Sequence, residues 1–481
     1  QLAEVLGAEL APLLPTLLPF ALKSLDDNDT MFWDGAAETG ASAVAKLFEG
    51  KAAAGGSDDD DDVDDDDDDD DSPLTVRTAM LDEKAAAAHC IGACAQHLKA
   101  AFLPYIQQVL PSLLAANDYF HEDVRVATTK ALTSLVTAIS ATEPVPKWSK
   151  GVVTDLPQQQ PMTWALLQRV CGPLQQRFEE DEDKDVVATA SESIAQIALL
   201  IGPSAMAAVP PASAPLDLRV LVDIAVSLLE QRHACQSSAE ADGQVDEDAD
   251  HDEALWEAVV ELLTTAPKAL GVHWRPHFER LLPPLMPYLR DGHPAADHSL
   301  AIGIIAESIN QLESTGSDFC TSLLPIMVRR SRSESVACRQ NATFGMGVLS
   351  LHGRDAAMAN MQSVLQALQA RMSADEETIV RDNAVGALSR LVLGFGAELP
   401  LDSILPAIVA SLPLKEDKDE NIPAIRCLMK ATHDERSRGH MAALVAPTLS
   451  VLARLLRAQL LGDEAAHEAH AFLAWLASQG A

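Results

Sequence analysis

The sequence predicts an all-α fold in which pairs of helices stack into a solenoid, and three observations lead to that prediction. Hydrophobic residues make up 48% of the chain and aromatic residues only 4%, a composition that favours packed helices over sheets. Apolar residues recur every three or four positions, as at Val124, Ala127 and Ala131, which is the spacing of one helix face. Similar helix-forming segments then return at a regular interval along the chain.

The interval is marked by prolines that lie inside apolar segments. Pro283 and Pro325 are 42 residues apart, and Pro325 and Pro406 are 81 residues apart, which is two such intervals. HEAT-type helix pairs repeat about every 40–47 residues, and a proline bends its helix. We therefore predict one continuous right-handed HEAT-repeat superhelix of nine antiparallel helix pairs. The predicted pairs cover residues 3–98, 101–140, 161–202, 214–271, 273–312, 316–352, 354–396, 399–433 and 437–480.

Three segments interrupt the predicted helix pairs. We predict that residues 55–73 are an acidic, disordered loop within the first pair, residues 141–160 a Pro/Gln-rich connector, and residues 236–250 a smaller acidic loop. The first loop contains thirteen aspartates, here called the aspartate tract, which repel one another and bury no apolar surface. Two roles remain open: the tract attracts basic partners or occupies their binding surface until they arrive, or it only keeps an apolar solenoid in solution. The tract includes Asp58, Asp62, Asp64 and Asp71.

The charge of the chain favours a basic protein partner over nucleic acid. The formal net charge is −36, and 58 of the 71 acidic residues, against 35 basic ones, lie outside the aspartate tract. Phosphate binding needs a basic surface, whereas an acidic protein attracts basic partners over long range. We therefore expect no direct nucleic acid partner.

Cysteine spacing and apolar segments indicate the compartment. The seven cysteines show none of the paired spacings typical of secreted proteins, so we expect a reducing compartment. The longest apolar stretches, such as residues 201–216, are broken by prolines, so we predict no transmembrane helix and no membrane partner. The chain begins at Gln1 within an amphipathic pattern, and we expect it to be a fragment of a longer protein.

The sequence lacks the motifs of catalysis. No phosphate loop follows a strand, and no nucleophile elbow is present. The stretch "HCIGACAQH", residues 89–97, and the pair His273 and His277 contain metal-binding residue types. Zinc motifs prefer loops with two-residue gaps, so we interpret Cys90 and Cys94 as small residues of a helix interface. We expect no enzymatic activity, no cofactor and no metal.

Three stretches resemble one known family. They are "VRTAMLDEKAAAAHCIGACAQHLKAAFLPY" after the aspartate tract (residues 76–105), "VRDNAVGALSRLV" (residues 380–392) and "LPLDSILPAIVASLPLKEDKDENIPAIRCLMKA" (residues 399–431). Weaker matches lie at residues 119–128 and 297–307. Together they resemble the C-terminal half of importin-β-type nuclear transport receptors, in the branch that carries core histones and ribosomal proteins.

The resemblance implies a function in nuclear import. The expected partners are basic protein cargo, histones and ribosomal proteins among them, with nucleoporins as further partners. The GTPase Ran binds N-terminal repeats in such receptors, and we expect those repeats to lie outside this chain. The resemblance also implies a monomer that shuttles between cytoplasm and nucleus.

The resemblance places a pocket for a cargo lysine on Asn383, Asp419 and Glu420, with looser assignments at Phe344 and Asp297. A lysine ammonium has three donors and no acceptor, so two carboxylates and an amide carbonyl satisfy it. A flanking aromatic face adds about 0.5–2 kcal/mol of cation–π attraction. The candidate cargo-binding residues, each on or next to a predicted second helix, are Trp256, Asp297, Asn341, Phe344, Asn383, Asp419 and Glu420.

Other interpretations of these residues remain open. Asp382 and Asn383 alternatively cap the start of their helix, and the acidic residues within 417–420 are a polar helix start that faces solvent. At such exposed positions burial has little effect on a pKa. Trp256 alternatively lies half-buried in a helix interface. For the whole chain, the alternative is a HEAT-repeat scaffold or regulatory subunit that binds folded protein partners.

Overall fold

A computed structural model describes residues 2–26, 73–143, 147–207, 213–236 and 247–479. Within these ranges the chain is helical and contains no β-strand, as predicted. The aspartate tract, with Asp58, Asp62, Asp64 and Asp71, lies outside the described residues, and so does most of the predicted acidic loop at 236–250.

The α-helices of the described residues are joined by loops and short 3-10 turns. They are α1 (Leu2–Leu6), α2 (Leu14–Asp26), α3 (Pro73–Leu98), α4 (Ile106–Ala116), α5 (Glu122–Ser140), α6 (Leu156–Gln159), α7 (Pro161–Glu180), α8 (Lys184–Ile201), α9 (Leu218–Leu229), α10 (Glu247–Leu270), α11 (Arg275–Leu285), α12 (Ala295–Leu312), α13 (Cys320–Arg330), α14 (Val336–His352), α15 (Arg354–Arg371), α16 (Thr378–Phe395), α17 (Leu401–Ser411), α18 (Asn421–His433), α19 (Arg438–Met441), α20 (Val445–Arg457) and α21 (Asp463–Ser478).

The nine predicted helix pairs correspond to observed helices. The first helices of the pairs are α2, α4, α7, α9, α11, α13, α15, α17 and α20, and the second helices are α3, α5, α8, α10, α12, α14, α16, α18 and α21. Six of the first helices contain an interior proline, at Pro19, Pro111, Pro173, Pro283, Pro325 and Pro406. The predicted proline pattern thus describes most first helices.

The chain forms two compact units, Gln1–Thr142 and Glu143–Ala481. In unit 1, the second helices α3 and α5 pack along each other. In unit 2, the second helices from α8 to α18 pack side by side in chain order and form one layer, here called the second-helix layer. Several first helices pack on each other as a further layer, for example α9 on α11 and α13 on α15. The single unbroken solenoid remains a prediction.

Small residues explain how closely the second helices approach. A Cβ atom at Gly347 of α14 would lie 2.6 Å from the Cα of Ala387 in α16, so only glycine fits there. In α16, nearly every residue from Val380 to Val392 is buried, because the helix has neighbours on several sides. The Ala-rich, aromatic-poor composition therefore follows from helix packing.

Two stretches of the described chain are long and apolar enough, by length and composition alone, to cross a membrane. Lys184–Ala205 is 78% buried and packs between α7 and α10 as a core helix of unit 2. Leu2–Asp26 is 28% buried. Prolines interrupt Leu2–Asp26 at positions 12, 15 and 19, in keeping with the expectation. Lys184–Ala205 has no proline before Pro203, and its burial accounts for its apolar composition.

Candidate functional site

A groove of about 690 Å³ crosses the second-helix layer of unit 2. Its walls come from α10, α12, α14, α16 and α18, together with the loop that precedes α18. Five successive repeats therefore contribute to this one groove. Such a groove fits an extended chain better than a compact small molecule, because its binding groups are distributed along the stack.

Five of the seven candidate residues line this groove: Asn341, Phe344, Asn383, Asp419 and Glu420. The other two lie elsewhere. Asp297 accepts a hydrogen bond from the ring of His293, 2.9 Å away, and Trp256 lies half-buried with its ring edge against Tyr288, at a centroid distance of 6.3 Å.

The groove carries acidic and basic groups in nearly equal number, whereas the sequence predicts a strongly acidic surface. The acidic residues are Glu307, Glu313, Asp417, Asp419 and Glu420, and the basic residues are Lys150, Lys268, Arg390 and Arg426. Three of the four basic groups, Lys150, Arg390 and Arg426, already have acidic partners. Among the described groove residues, carboxylates without an ion pair therefore outnumber the one such cation, Lys268.

Glu420 is a buried ion-pair partner. Its side chain is 4% exposed, and both carboxylate oxygens bind the guanidinium of Arg390. The second of these bonds, from Arg390 Nη2 to Glu420 Oε1, is 2.8 Å long. The alternative interpretation of Glu420 as part of a solvent-facing helix start is therefore wrong, because its carboxylate pairs with an arginine of the preceding second helix inside the layer.

The same arginine covers Phe344. The Arg390 guanidinium carbon lies 4.9 Å from the ring centroid of Phe344. The aromatic face that was predicted to receive a cargo lysine therefore already carries an internal cation. Gly386 makes this arrangement possible, since a Cβ atom there would overlap the Glu420 carboxylate.

Asp382 fixes the loop before α18. Its Oδ2 atom accepts hydrogen bonds from the backbone N–H groups of Lys415, Glu416 and Asp417, at 3.0, 2.8 and 3.2 Å. The residue is 6% exposed. Because α16 begins at Thr378, Asp382 lies in its second turn, and the interpretation of Asp382 and Asn383 as caps of their own helix is wrong.

Asn383 and Asp417 are neighbours across the repeat boundary. The Asn383 amide donates to the Ile379 carbonyl and to Asp417 Oδ2, both at 2.9 Å. Burial, and then the nearby charge of Glu420, raises the pKa of Asp417, while the hydrogen bond from Asn383 opposes that rise. The expectation that pKa values here stay ordinary is thus wrong for Asp417.

Asp419 differs from its neighbours because it is exposed. Within the described part of the chain it has neither an ion-pair nor a hydrogen-bond partner for its carboxylate. Asp417 uses one oxygen for Asn383, and the Asn383 carbonyl oxygen makes no hydrogen bond to described residues. These three groups offer the unused acceptors at this end of the groove.

Asn341 helps to hold neighbouring repeats together. Its amide nitrogen donates to the backbone carbonyl and the hydroxyl of Ser299, at 3.0 and 3.1 Å. This use of the amide leaves only its carbonyl oxygen for a ligand.

Sequence reasoning missed Arg390, Lys150 and Glu313 as groove residues. Arg390 follows Asn383 by seven positions in α16, which places both on one helix face, so that spacing was a usable signal. Lys150 and Glu313 form an ion pair 163 positions apart in the chain, and no local pattern connects them.

Elsewhere, Cys90 and Cys94 lie four positions apart in α3, with Cys90 exposed and Cys94 buried. Their interaction lowers the pKa of the Cys90 thiol to about 6 and raises the pKa of Cys94. Over the residues that the structure describes, no three or more His, Cys, Asp or Glu side chains are grouped to hold a metal ion.

The stacked helix pairs and the groove on the second-helix layer have the architecture of a HEAT-repeat solenoid, the fold of karyopherin structures. No protein-family model matches the chain. Human Importin-4 is 29% identical to it over 355 residues, which cover 73% of this chain and 31% of Importin-4. The probable importin subunit beta-4 of Schizosaccharomyces pombe is 22% identical over 439 residues, which cover 89% of this chain and 40% of that protein.

Solved structures share the fold. The crystal structure of Kap121p bound to RanGTP matches with a TM-score of 0.63 at 15% identity, and the match covers 98% of this chain and 43% of Kap121p. These relatives confirm the resemblance to importin-β-type receptors that the sequence motifs carry, and the chain is importin-4-like. The chain spans between 31% and 40% of the length of these curated relatives.

Proposed function

We propose that this chain is the cargo-binding part of a nuclear import receptor. It binds extended, lysine-rich segments of basic proteins, core histones and ribosomal proteins among them, along the groove of unit 2. The observation that carries the proposal is the group of unused acceptors on Asn383, Asp417 and Asp419 within the groove. The similarity to importins supports it.

The chemistry of lysine suits this group of residues. An ammonium has three donors, and two carboxylates with one amide carbonyl supply three acceptors. Glu420 contributes through the fold, because its carboxylate is already bound to Arg390. The net charge of −36 adds long-range attraction, which salt weakens. Several weak contacts along one extended chain then combine through effective concentration.

The proposal extends to partners and localisation by analogy. Kap121p has been solved with RanGTP, with Ste12p and with Pho4p. For the full-length receptor we accordingly infer binding to Ran and to protein cargo, possession of nucleoporin-binding surfaces, and shuttling between cytoplasm and nucleus. A transport function of this kind requires binding of partners and no catalytic step.

The test is a charge reversal at Asp419. Asp419→Lys should weaken binding of a lysine-rich histone-tail peptide about five- to tenfold, since it replaces an exposed attraction worth about 1 kcal/mol with a repulsion. Isothermal titration calorimetry at low salt measures the effect. Glu416→Lys is the matched control: it makes the same charge change in the same exposed loop, outside the groove.

The Glu416→Lys control distinguishes a charge effect within the groove from an effect of the net charge of the chain. Equal losses in both variants would mean that only net charge matters and that the groove is not the site. A wild-type chain that fails to capture the peptide even at low salt would favour the scaffold that binds folded partners.

The peptide affinity should also fall as the pH is lowered. This fall should begin at a higher pH than protonation of an aspartate with an ordinary pKa would cause. Burial raises the pKa of Asp417, and protonation removes a charge that binds the ammonium. Because this pKa is higher in the folded chain than in the unfolded chain, protonating Asp417 does not itself destabilise the fold. The measurement is affinity against pH for a histidine-free peptide.

Asp417→Asn provides the comparison for this pH dependence. The variant keeps an oxygen acceptor for Asn383 but has no carboxylate to titrate, so its affinity should be lower and its acid dependence flatter. An unchanged profile would remove Asp417 from the site.

A further inference from the structure

Residues 147–154, here called the strap, lie across the ends of second helices in unit 2. The strap is basic, has the sequence "KWSKGVVT" and contains a turn at Lys150–Gly151. Three hydrogen bonds fix it: Trp148 Nε1 to the Leu199 carbonyl (2.8 Å), Gly151 N–H to the Ala269 carbonyl (2.8 Å) and Thr154 N–H to Ser204 Oγ (2.9 Å). The C-terminal end of a helix carries partial negative charge, which suits a basic segment.

The strap reaches the groove through Lys150. The Lys150 ammonium lies 2.7 Å from Glu313 Oε1, and both residues line the groove. The aliphatic part of Lys150 packs closely on Gly271. The two side chains are 40% and 52% exposed, so another cation can replace the ammonium without opening the core.

The backbone of Glu313 is the second relevant feature. Glu313 follows α12 with φ 53° and ψ −134°. The same position after α8 and α16 has nearly the same conformation and holds glycine, at Gly202 (φ 73°, ψ −151°) and Gly396 (φ 52°, ψ −127°). A side chain is strained in this region, so Glu313 keeps its carboxylate at a cost that glycine would avoid.

Two of the four basic residues of the groove, Lys150 and Arg390, pair with an acidic residue that also lines the groove, and these two cations differ in character. Arg390 is buried against Glu420, with side-chain exposures of 9% and 4%, and its removal would leave a buried charge. Lys150 is exposed and belongs to a segment outside the helices. Of these two cations, only Lys150 is placed to exchange with a lysine from another chain.

We propose that Glu313 is a receiving carboxylate for a lysine of the bound basic segment, and that Lys150 occupies this position as an internal competitor when the groove is empty. The inference rests on the proposed function, because it assumes that a lysine-rich peptide binds the groove. It adds a second subsite, on a different repeat from Asp419, and a reason for partial self-inhibition.

The test is a double-mutant cycle on residues 150 and 313. Fluorescence anisotropy measures the affinity of each variant for the histone-tail peptide. Lys150→Met keeps the aliphatic packing on Gly271 and removes the ammonium, so the peptide should bind about threefold more tightly. In a Glu313→Gln background the same change should give no gain. Glu313→Gly is a second background whose folding is favoured, since glycine occupies the equivalent positions after α8 and α16.

Lys147→Met is the matched control for net charge. Lys147 lies in the same strap and pairs with Asp463 at the surface, with side-chain exposures of 81% and 89%, and it does not line the groove. Its replacement should change the affinity by less than about 1.5-fold.

The outcomes separate the two levels of the proposal. If the peptide binds in an Asp419-dependent manner but Lys150→Met brings no gain, or the same gain with and without Glu313, the subsite and the internal competition are overturned while the proposed function stands. If the wild-type chain does not bind the peptide at all, both are overturned.

Discussion

Replacing Arg390 with methionine should lower the stability of unit 2 by about 3–5 kcal/mol, because it leaves a buried carboxylate without its cation. Glu420 is 3% exposed and both of its oxygens bind Arg390. Methionine fills much of the arginine volume, so the loss comes from the uncompensated charge and not from a cavity. It also removes the cation from the Phe344 ring.

Hydrogen exchange is the suitable measurement for this variant. A stack of repeats need not unfold as one cooperative unit, so the opening free energy should be measured locally, on α16 and α18. Protection there should fall, while protection in α8 and α10, several repeats away, should change little.

The control is the double variant Arg390→Met with Glu420→Met. Exchanging both members of a buried pair for apolar residues is often neutral or stabilising, so protection should largely return. If the stability of Arg390→Met alone stayed within about 1 kcal/mol of the wild type, the Arg390–Glu420 pair would be solvent-exposed, and its description as a buried pair would be wrong.

This pair also changes how the groove should be probed. Sequence alone suggests Asp419 and Glu420 as equivalent lysine-binding carboxylates. A Glu420→Lys substitution would place a second cation beside Arg390 in a buried position, so it would report on folding. Asp419, being exposed, reports on binding.

The sequence was informative about the helix pairs because their signals are local. The predicted pair at residues 354–396 agrees with α15 and α16, which run from Arg354 to Phe395. Apolar spacing within a helix and the repeat interval both survive in a single sequence.

The start of α16 shows where local signals fail. The helix begins with Thr378, Ile379 and Val380, three β-branched residues, and Glu377 before them makes no side-chain cap hydrogen bond. Without a capping residue, the polar Asp382 and Asn383 resemble a helix start. They are instead buried by the loop of the next repeat, an effect of tertiary contacts.

The chemistry of the groove depends on pairs that are distant in the chain. Arg390 and Glu420 are 30 positions apart, and Lys150 and Glu313 are 163 apart. The separation of Arg390 and Glu420 is shorter than one repeat interval, so contact between neighbouring repeats could have suggested this pair. The separation of Lys150 and Glu313 requires the strap to cross several repeats, which composition and periodicity do not encode.

Asp382→Ala should produce the second large effect, a loss of about 3 kcal/mol in the stability of the α16–α18 region. One carboxylate oxygen accepts three backbone N–H groups of the loop at residues 415–417. A hydrogen bond to a charged acceptor contributes about 1.5–3 kcal/mol, and three that share one oxygen contribute less than three times that amount. Local hydrogen exchange measures the loss.

The same substitution should weaken peptide binding about tenfold, because the released loop carries Asp417 and Asp419. Asp382→Asn, which keeps an oxygen acceptor without the charge, should fall between alanine and wild type in both stability and affinity. Asp375→Ala makes the same chemical change at an exposed position before α16, and should stay within about 0.5 kcal/mol of the wild type. An Asp382→Ala chain that keeps full affinity would show that the loop finds its place without this carboxylate, and the lysine site would then have to be defined by α16 and α18 themselves.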